Sequence, residues 1–251
     1  MNLVRFRHGD REAIGALEGQ EVAVLDGDLF GHRRATGERL PLSSVRLLAP
    51  VRPPKIIAVA LNYRDHLAGA EPPARPELFL KAPSAAIGPG EAIVLPRDAG
   101  RVDAEGELVA VIGRLCRDVP PEQALDYVLG YTCGNDVSAR DWQRGDLQWW
   151  RAKSADTFAP VGPCIVEGLD PAGLELTVRV NGQVVQQGNT GSLIHNVAKV
   201  VSFASAVMTL EPGDLIFTGT PGTTQPLKTG DVVEVEIAGI GVLRNPVRDA
   251  G

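Results

Sequence analysis

Cysteine is scarce in this chain, and long apolar runs are lacking altogether. The three cysteines, Cys116, Cys133 and Cys164, are odd in number and lack metal-type spacing, which favours reduced thiols that pack as small buried side chains. The first residues have no apolar signal-peptide core, and no stretch is long enough to cross a bilayer. We therefore expect a cytoplasmic protein with no membrane partner.

An excess of positive charge is lacking as well, since the formal net charge of the 251 residues is −6. A general nucleic-acid binder needs a basic surface, so we expect no nucleic-acid partner. An anionic substrate must instead be attracted by positive charge concentrated at one site.

Short strand-like runs dominate the chain. Up to about residue 50, brief apolar runs are broken by glycine or aspartate, and Asp26-Gly27 is typical of a hairpin turn. Residues 49–54 are too rich in proline for a helix. We place a boundary there, between a small β-rich N-terminal domain, residues 1–50, and a larger domain, residues 51–251.

The larger domain combines many strands with few helices. Asn181-Gly182 predicts a tight hairpin between two of the strands. Proline in the first turn and apolar residues at helical spacing predict helices over 121–128 and 197–208, respectively. The predicted strands cover 55–60, 108–112, 174–180, 184–187, 214–217 and 232–237. The fold class is therefore α+β and mainly β.

The sharpest local feature is the acidic stretch 103–107, Asp-Ala-Glu-Gly-Glu, which leads into an apolar strand. Side chains alternate along a strand, so Glu105 and Glu107 point the same way. Two adjacent carboxylates repel unless a cation lies between them, and Mg²⁺ or Mn²⁺ suits such an oxygen-only site. Taken alone, however, this stretch is more typical of a solvated acidic loop.

A second acidic feature lies at Asp136, where an apolar strand is expected to end, a common place for ligands. Arg140 and Gln143 follow it and can share one face of a helical turn. Lys153 comes after two tryptophans, and this aromatic setting predicts a lowered lysine pKa suited to proton transfer. The tryptophans themselves are typical of core packing.

Six motifs, in this order, closely resemble the fumarylacetoacetate hydrolase family. Each motif alone is weak, but six at the expected spacing form a specific pattern that runs from about residue 55 to residue 249. The motifs are residues 60–66 (Ala-Leu-Asn-Tyr-Arg-Asp-His), 79–83 (Phe-Leu-Lys-Ala-Pro), 105–108, 135–141, 153–158 and 212–221.

The resemblance implies a mixed β-roll or flattened barrel around a central metal site, in a homodimer. It implies that Glu105, Glu107 and Asp136 bind Mg²⁺ or Mn²⁺, and that the substrate is a small 2-oxo or enol dicarboxylic acid. The residues that it places around the substrate are Tyr63, Arg140, Gln143, Lys153 and Thr220.

A metal held by three carboxylates keeps about half of an octahedral shell open. A 2-oxo acid can fill two positions, so that the cation stabilises an enolate while Lys153 moves the proton. The same enolate serves carbon–carbon hydrolysis, decarboxylation and keto–enol isomerisation. The metal site therefore does not choose among these reactions.

One departure from the family concerns the segment after the first motif. Hydrolases and decarboxylases of the family often carry a His-x-x-Glu pair that positions water, but Gly69 stands where His66 would find its glutamate. Glu71 is the candidate replacement; without it, His66 is a surface or supporting histidine. Proline, glycine and alanine dominate 68–76, so we expect 64–75 to be a mobile segment over the site.

The second departure is residues 222–226, Gly-Thr-Thr-Gln-Pro, where the family usually has a Gly-Val-Gly type of loop beside the substrate. Motifs 60–66 and 79–83 most resemble the branch that isomerises 2-hydroxyhepta-2,4-diene-1,7-dioate in aromatic catabolism, and we predict this isomerase activity. The alternatives are an acylpyruvate- or fumarylpyruvate-type hydrolase, an oxaloacetate decarboxylase, or an inactive ligand-binding relative. His195 is expected to be a helix-terminus residue.

Overall fold

The computed structural model describes residues 1–67 and 69–251. The helices are α1 Pro121–Ala124, α2 Arg140–Gly145, α3 Trp150–Ser154 and α4 Val197–Val207, with short 3-10 helices at Leu42–Ser44, Arg64–His66, Pro83–Ala85, Leu125–Tyr127 and Thr190–Ser192. The strands are β1 Asn2–His8, β2 Arg11–Glu18, β3 Glu21–Gly27, β4 Arg33–Pro41, β5 Arg46–Leu47, β6 Ile56–Ala60, β7 Glu77–Lys81, β8 Ala86–Ile87, β9 Ile93–Leu95, β10 Val102–Ala104, β11 Gly106–Ile112, β12 Val128–Asn135, β13 Ser138–Ala139, β14 Ala159–Val166, β15 Glu175–Val180, β16 Gln183–Asn189, β17 Leu215–Phe217, β18 Gln225–Pro226, β19 Val232–Ile237 and β20 Gly241–Asp249.

Across the described residues the strands form three sheets. The largest has twelve strands in the order β4-β3-β2-β1-β14-β12-β11-β17-β6-β7, with β5 beside β1 and β8 beside β14. The others are β13-β10-β18 and β16-β15-β19-β20-β9. Parallel pairs such as β6 with β17 occur among antiparallel ones. The mainly β, mixed-sheet α+β class predicted from the sequence is confirmed.

The N-terminal strands continue the largest sheet, because Leu3 of β1 pairs with Ile165 of β14. The hairpin turn expected at Asp26-Gly27 is wrong, since β3 extends through both residues. The turn instead covers residues 28–32, between β3 and β4, and in it the backbone N–H of Phe30 donates to the Asp28 side chain. By contrast, the hairpin turn at Asn181-Gly182 is confirmed, with positive φ at both residues.

Strand β11 is the centre of the molecule. All of its seven residues are buried because β12 and β17 flank it within the sheet and further strands pack on its faces. Gly106 pairs with Asn135 of β12. Glu105 and Glu107, the chain neighbours of Gly106, therefore lie close to Asp136, which follows Asn135. A side chain at Gly106 would collide with Val178, so this close packing requires glycine.

The helices are short and lie at the edges of the sheets. The helix predicted at 121–128 is α-helical only to Ala124, and a 3-10 turn, Leu125–Tyr127, then leads into β12. The Asn196 side chain caps α4 by accepting from the Lys199 N–H, and His195 lies just before this cap. In the described part of the chain, no helix has the length and apolar character to span a membrane.

Candidate metal and substrate site

Three carboxylates converge where β11 begins and β12 ends. Oxygen atoms of Glu105, Glu107 and Asp136 all lie within 4.8 Å of one another, and the three residues are almost wholly buried. The Asp136 N–H donates to the Glu105 carbonyl at 2.8 Å, which fixes the two segments side by side. The arrangement supplies the oxygen-only ligand set that Mg²⁺ and Mn²⁺ prefer.

Two buried lysines neutralise part of this negative charge. The Lys153 ammonium lies 2.7 Å from Glu105 Oε2 and 2.6 Å from Asp136 Oδ2. The Lys81 ammonium lies 2.5 Å from the other Asp136 oxygen, Oδ1. Asp136 is thus held between two cations, of which only Lys153 lines the adjacent cavity.

The carboxylates differ in how well their charge is compensated. Burial disfavours the charged form of Glu105, but Lys153 and Arg140 outweigh burial and lower its pKa. Burial raises the pKa of Glu107, and the nearby charges of Asp136 and Glu105 raise it further. Glu107 has no ion-pair partner among the described residues, and the more distant charge of Lys153 offsets burial only in part. The cluster therefore fits a bound divalent cation.

Lys153 lies in the aromatic setting that the sequence indicates, with Nζ 5.0 Å from the centre of the Phe79 ring. The lowered pKa expected for this lysine is wrong. Burial does disfavour the charged ammonium, but the carboxylates of Asp136 and Glu105 outweigh burial and raise the pKa. Lys81 is the lysine whose pKa falls, since burial outweighs its attraction to Asp136.

A cavity of about 250 Å³ opens in front of the carboxylates. Its lining combines polar side chains, which can contact charged groups, with apolar ones, which can pack against a carbon chain. The polar part of the lining includes Arg140, Gln143, Lys153 and Thr220. The apolar part, here called the apolar wall, includes Val59, Ala60, Leu61, Phe79 and Trp149.

Helix α2 presents Arg140 and Gln143 to the cavity from one face. Arg140 Nη1 donates to Gln143 Oε1 at 2.9 Å, and Arg140 Nη2 donates to Glu105 Oε1 at 2.5 Å. Burial disfavours the charged guanidinium, but the Glu105 carboxylate outweighs burial and raises the Arg140 pKa. The side chain therefore stays cationic and can bind a substrate carboxylate.

Residues 218–220, which directly follow β17, border the site next to β11. The Thr220 hydroxyl donates to the Gly106 carbonyl at 2.8 Å, and Gln186 Nε2 donates to Thr220 Oγ1 at 3.1 Å. The Gly219 N–H donates to Glu107 Oε2 at 2.6 Å. These bonds hold the segment against β11 and orient one of the three carboxylates.

The 3-10 turn Arg64–His66 brings His66 to the cavity. His66 Nδ1 lies 2.6 Å from the Gly222 carbonyl, which can only accept, so Nδ1 carries the proton. Nε2, on the other side of the ring, lies 3.8 Å from Glu105 Oε1. His66 is therefore a residue of the site and not a surface histidine.

The structure does not bring two of the candidate residues to the cavity. Glu71 is exposed and lies outside the cavity lining. Tyr63 is buried behind the lining, where burial and then the charges of Glu107 and Asp65 raise its pKa. Of the predicted mobile segment 64–75, Ala68 lies outside the described residues.

Comparisons with known proteins agree with this geometry. A family model described as fumarylacetoacetate (FAA) hydrolase C-terminal matches residues 55–248, more than half of the chain. The chain belongs to the fumarylacetoacetate hydrolase family. A second model, described as Rv2993c-like, N-terminal, matches residues 1–50.

Relatives within this family are enzymes with different reactions. The crystal structure of 2-hydroxyhepta-2,4-diene-1,7-dioate isomerase from Mycobacterium marinum is 48% identical, with a TM-score of 0.95 and coverage of 100% of this chain and 99% of that chain. Maleylpyruvate hydrolase from Sphingobium sp. SYK-6, solved with manganese(II) ion and pyruvate, is 34% identical, with a TM-score of 0.83 and full coverage of both chains. Mitochondrial oxaloacetate tautomerase Fahd2a from Rattus norvegicus is 41% identical over 86% of this chain and 74% of its own length. The chain is thus an enzyme of this family with a carboxylate cluster suited to a divalent metal.

Three residues beside the cluster escaped the sequence analysis as functional candidates. Lys81 was noted only as part of a motif, although a lysine within Phe-Leu-Lys-Ala-Pro is a charge in an apolar setting. Asp103 belongs to the acidic stretch, but its neighbours Glu105 and Glu107 dominated that pattern. Gln186 has no local signal, because its contact with Thr220 depends on the folded chain.

Proposed function

We propose that this chain is a divalent-metal-dependent isomerase that relocates a proton within a small, enolisable 2-oxo dicarboxylic acid. The first candidate substrate is 2-hydroxyhepta-2,4-diene-1,7-dioate, in the catabolism of aromatic compounds. The observation that carries the proposal is Lys153, whose ammonium contacts Glu105 and Asp136 within 2.7 Å while lining the cavity. A proton donor therefore lies directly beside the candidate metal ligands. The similarity to the Mycobacterium marinum isomerase supports the same reaction.

Glu105, Glu107 and Asp136 would hold the cation, with Mg²⁺ as the first candidate and Mn²⁺ as the second. Their oxygen-only donor set and the raised pKa of Glu107, caused by burial and by two neighbouring carboxylates, support this assignment. When bound, such a cation supplies a Lewis acid that polarises the 2-oxo group of the substrate. The relative solved with manganese(II) and pyruvate is consistent with this chemistry.

The side chains around the cluster divide the remaining tasks. Arg140, oriented by Gln143, would bind a substrate carboxylate through its forked N–H donors. Lys153 would return a proton to the carbon next to the 2-oxo group, and it could take one up because a cation held by Glu105 and Asp136 would oppose the effect that raises its pKa. The apolar wall around Phe79 and Trp149 would pack against the carbon chain and exclude water.

Isomerisation is favoured over hydrolysis by the surroundings of His66. A hydrolase must place a water against the substrate carbon and provide a base for its proton. The imidazole of His66 is oriented by the Gly222 carbonyl, Gly69 offers no side chain, and Glu71 is exposed. Proton relocation needs no attacking water, so it does not require the glutamate that Gly69 replaces.

Keto–enol tautomerisation of oxaloacetate is the second candidate. A cavity of about 250 Å³ suits a four-carbon dicarboxylic acid, and an oxaloacetate tautomerase is among the relatives. Both candidate reactions use the same cluster and the same Lys153. The proposal also includes a cytoplasmic homodimer as the working form.

The test is a substrate panel on chelator-treated protein, with and without restored Mg²⁺ or Mn²⁺. The panel contains 2-hydroxyhepta-2,4-diene-1,7-dioate, oxaloacetate and an acylpyruvate. We expect metal-dependent isomerisation or tautomerisation that is faster than acylpyruvate cleavage. Faster cleavage would identify a hydrolase, pyruvate release from oxaloacetate a decarboxylase, and no turnover of any substrate an inactive relative.

A further inference from the structure

A network of four polar side chains adjoins the cavity outside the carboxylate cluster. It consists of Arg101, Asp103, Arg140 and Thr224. Asp103 is 1% exposed and is the common acceptor of the other three. Its Oδ2 accepts from Arg140 Nε at 3.0 Å, from Arg101 Nη2 at 3.0 Å and from the Thr224 hydroxyl at 2.6 Å.

The hydrogen bonds of Thr224 have only one possible direction. A guanidinium can only donate, so the Thr224 oxygen must accept from Arg140 Nη2, at 3.1 Å. The single hydroxyl proton of Thr224 is then left for Asp103 Oδ2, at 2.6 Å. Thr224 therefore links the guanidinium to the Asp103 carboxylate.

The backbone holds Thr224 in this position. Its neighbour Gln225 pairs with Ala104 in the β10–β18 ladder, and Arg101 Nη2 donates to the Thr224 carbonyl at 3.3 Å. Two residues earlier, the Gly222 carbonyl accepts from His66. Segment 222–226, where the chain departs from the usual family loop, thus contacts both Arg140 and His66.

Among the described residues Arg140 has four side-chain acceptors, and they do not play equal parts. Glu105, which accepts from Nη2, belongs to the candidate metal ligands, so a cation there would compete for its oxygens. Gln143 lies on the cavity wall and is itself open to substrate. Asp103 and Thr224 are the acceptors that lie outside the cavity lining. Asp103 accepts from Nε of the guanidinium, and Thr224 accepts from Nη2.

We infer that Thr224 is a positioning residue that sets the affinity for a substrate carboxylate through Arg140. Together with Asp103 it fixes the guanidinium plane, so that the edge facing the cavity is presented to a planar substrate carboxylate. This inference rests on the proposed role of Arg140 in binding that carboxylate. Forked Arg–carboxylate recognition depends on the orientation of both planes, so a guanidinium free to rotate binds less tightly.

The test compares Thr224→Val with Thr224→Ser. Valine has nearly the shape of threonine but can neither donate nor accept, whereas serine keeps the hydroxyl. The matched control is Thr223→Val, one residue earlier and exposed. Each protein is loaded with Mn²⁺ and titrated calorimetrically with oxalate, a planar carboxylate probe, after its Mn²⁺ affinity has been measured separately.

We expect Thr224→Val to weaken oxalate binding about tenfold, the typical effect of losing a hydrogen bond to a charged group. Thr224→Ser and Thr223→Val should bind oxalate like the wild type, and Mn²⁺ affinity should stay within about twofold throughout. Equal oxalate binding by wild type and Thr224→Val would overturn the positioning role alone. A tenfold loss of Mn²⁺ affinity in Thr224→Val would overturn it too, because Thr224 would then act through the carboxylates. Wild-type protein that binds Mn²⁺ but no oxalate would overturn both this inference and the proposed substrate site.

Discussion

Lys81 and Asp136 form an enclosed ion pair in which Nζ lies 2.5 Å from Oδ1 and the side chains are 0% and 2% exposed. The pair lies behind the cavity, since Lys81 does not contribute to the lining whereas Asp136 does. Asp136 Oδ2 faces the opposite way, toward Lys153. Lys81 therefore binds Oδ1 in the protein interior, whereas Oδ2 faces Lys153 and the cavity.

Replacing Lys81 with methionine should destabilise the protein by about 3–5 kcal/mol, because it leaves a buried carboxylate without one of its partners. Urea unfolding would measure the loss. Lys228→Met, at an exposed lysine, is the matched control and should change stability by less than about 0.5 kcal/mol. Equal stability of the two variants would show that the enclosed pair makes no net contribution.

Glu107→Gln should stabilise the metal-free protein and remove its stabilisation by metal. The pKa of Glu107 is raised above 4.5 by burial and by Asp136 and Glu105, so the folded state holds a proton that the unfolded state releases as pH rises. The free energy of unfolding therefore falls as pH rises above about 4.5. In Glu107→Gln this contribution to the fall should be absent, because glutamine does not titrate.

The measurement is the melting temperature against pH, with and without Mn²⁺. Mn²⁺ at about 100 times its Kd should add about 2.7 kcal/mol, or roughly 5–10 °C, to the wild type only. An equal rise in Glu107→Gln would mean that the ion binds elsewhere.

Lys153→Met should abolish turnover while metal binding survives. Removing one acid–base group typically costs about a hundredfold to ten-thousandfold in rate, and lysine is not a metal ligand in this site. Steady-state rates and Mn²⁺ titration on the same protein would separate the two effects. A variant that loses Mn²⁺ binding along with activity would assign Lys153 to ligand positioning instead of proton transfer.

Glu71→Ala should leave the rate unchanged, because Glu71 is exposed and lies outside the cavity lining. His66→Ala should reduce isomerisation far less than Lys153→Met does, since Gly69 stands in place of the glutamate of the water-activating His-x-x-Glu pair. Parallel rates on a 2-hydroxydienoate and an acylpyruvate would measure both. Acylpyruvate cleavage that collapses in both variants would show that Glu71 replaces the missing partner.

Local pattern accounts for part of the site. The alternation of a strand is enough to place Glu105 and Glu107 on one side, because the two residues are adjacent on the same face. Their proximity to Asp136 follows from the pairing of Gly106 with Asn135, which no local pattern specifies. Order along the chain and resemblance to a family supplied that link.

The strands that escaped the sequence analysis have weak local signals. Proline is a poor strand residue, and both Pro160 and Pro163 lie within β14. Strand β14 forms because β12 and the N-terminal β1 pair with it. The burial of Lys81 is likewise a property of the assembled sheet, and it could not be predicted from the sequence.

The central claim is that the cluster and Lys153 together move a proton at the carbon next to a 2-oxo group. Incorporation of deuterium from D₂O at that carbon, followed by NMR with a 2-oxo dicarboxylic acid, tests this most directly. We predict exchange well above the buffer rate that requires Mg²⁺ or Mn²⁺ and is lost in Glu107→Gln and Lys153→Met. Exchange at the buffer rate in metal-loaded wild-type protein that cleaves an acylpyruvate rapidly would contradict the account.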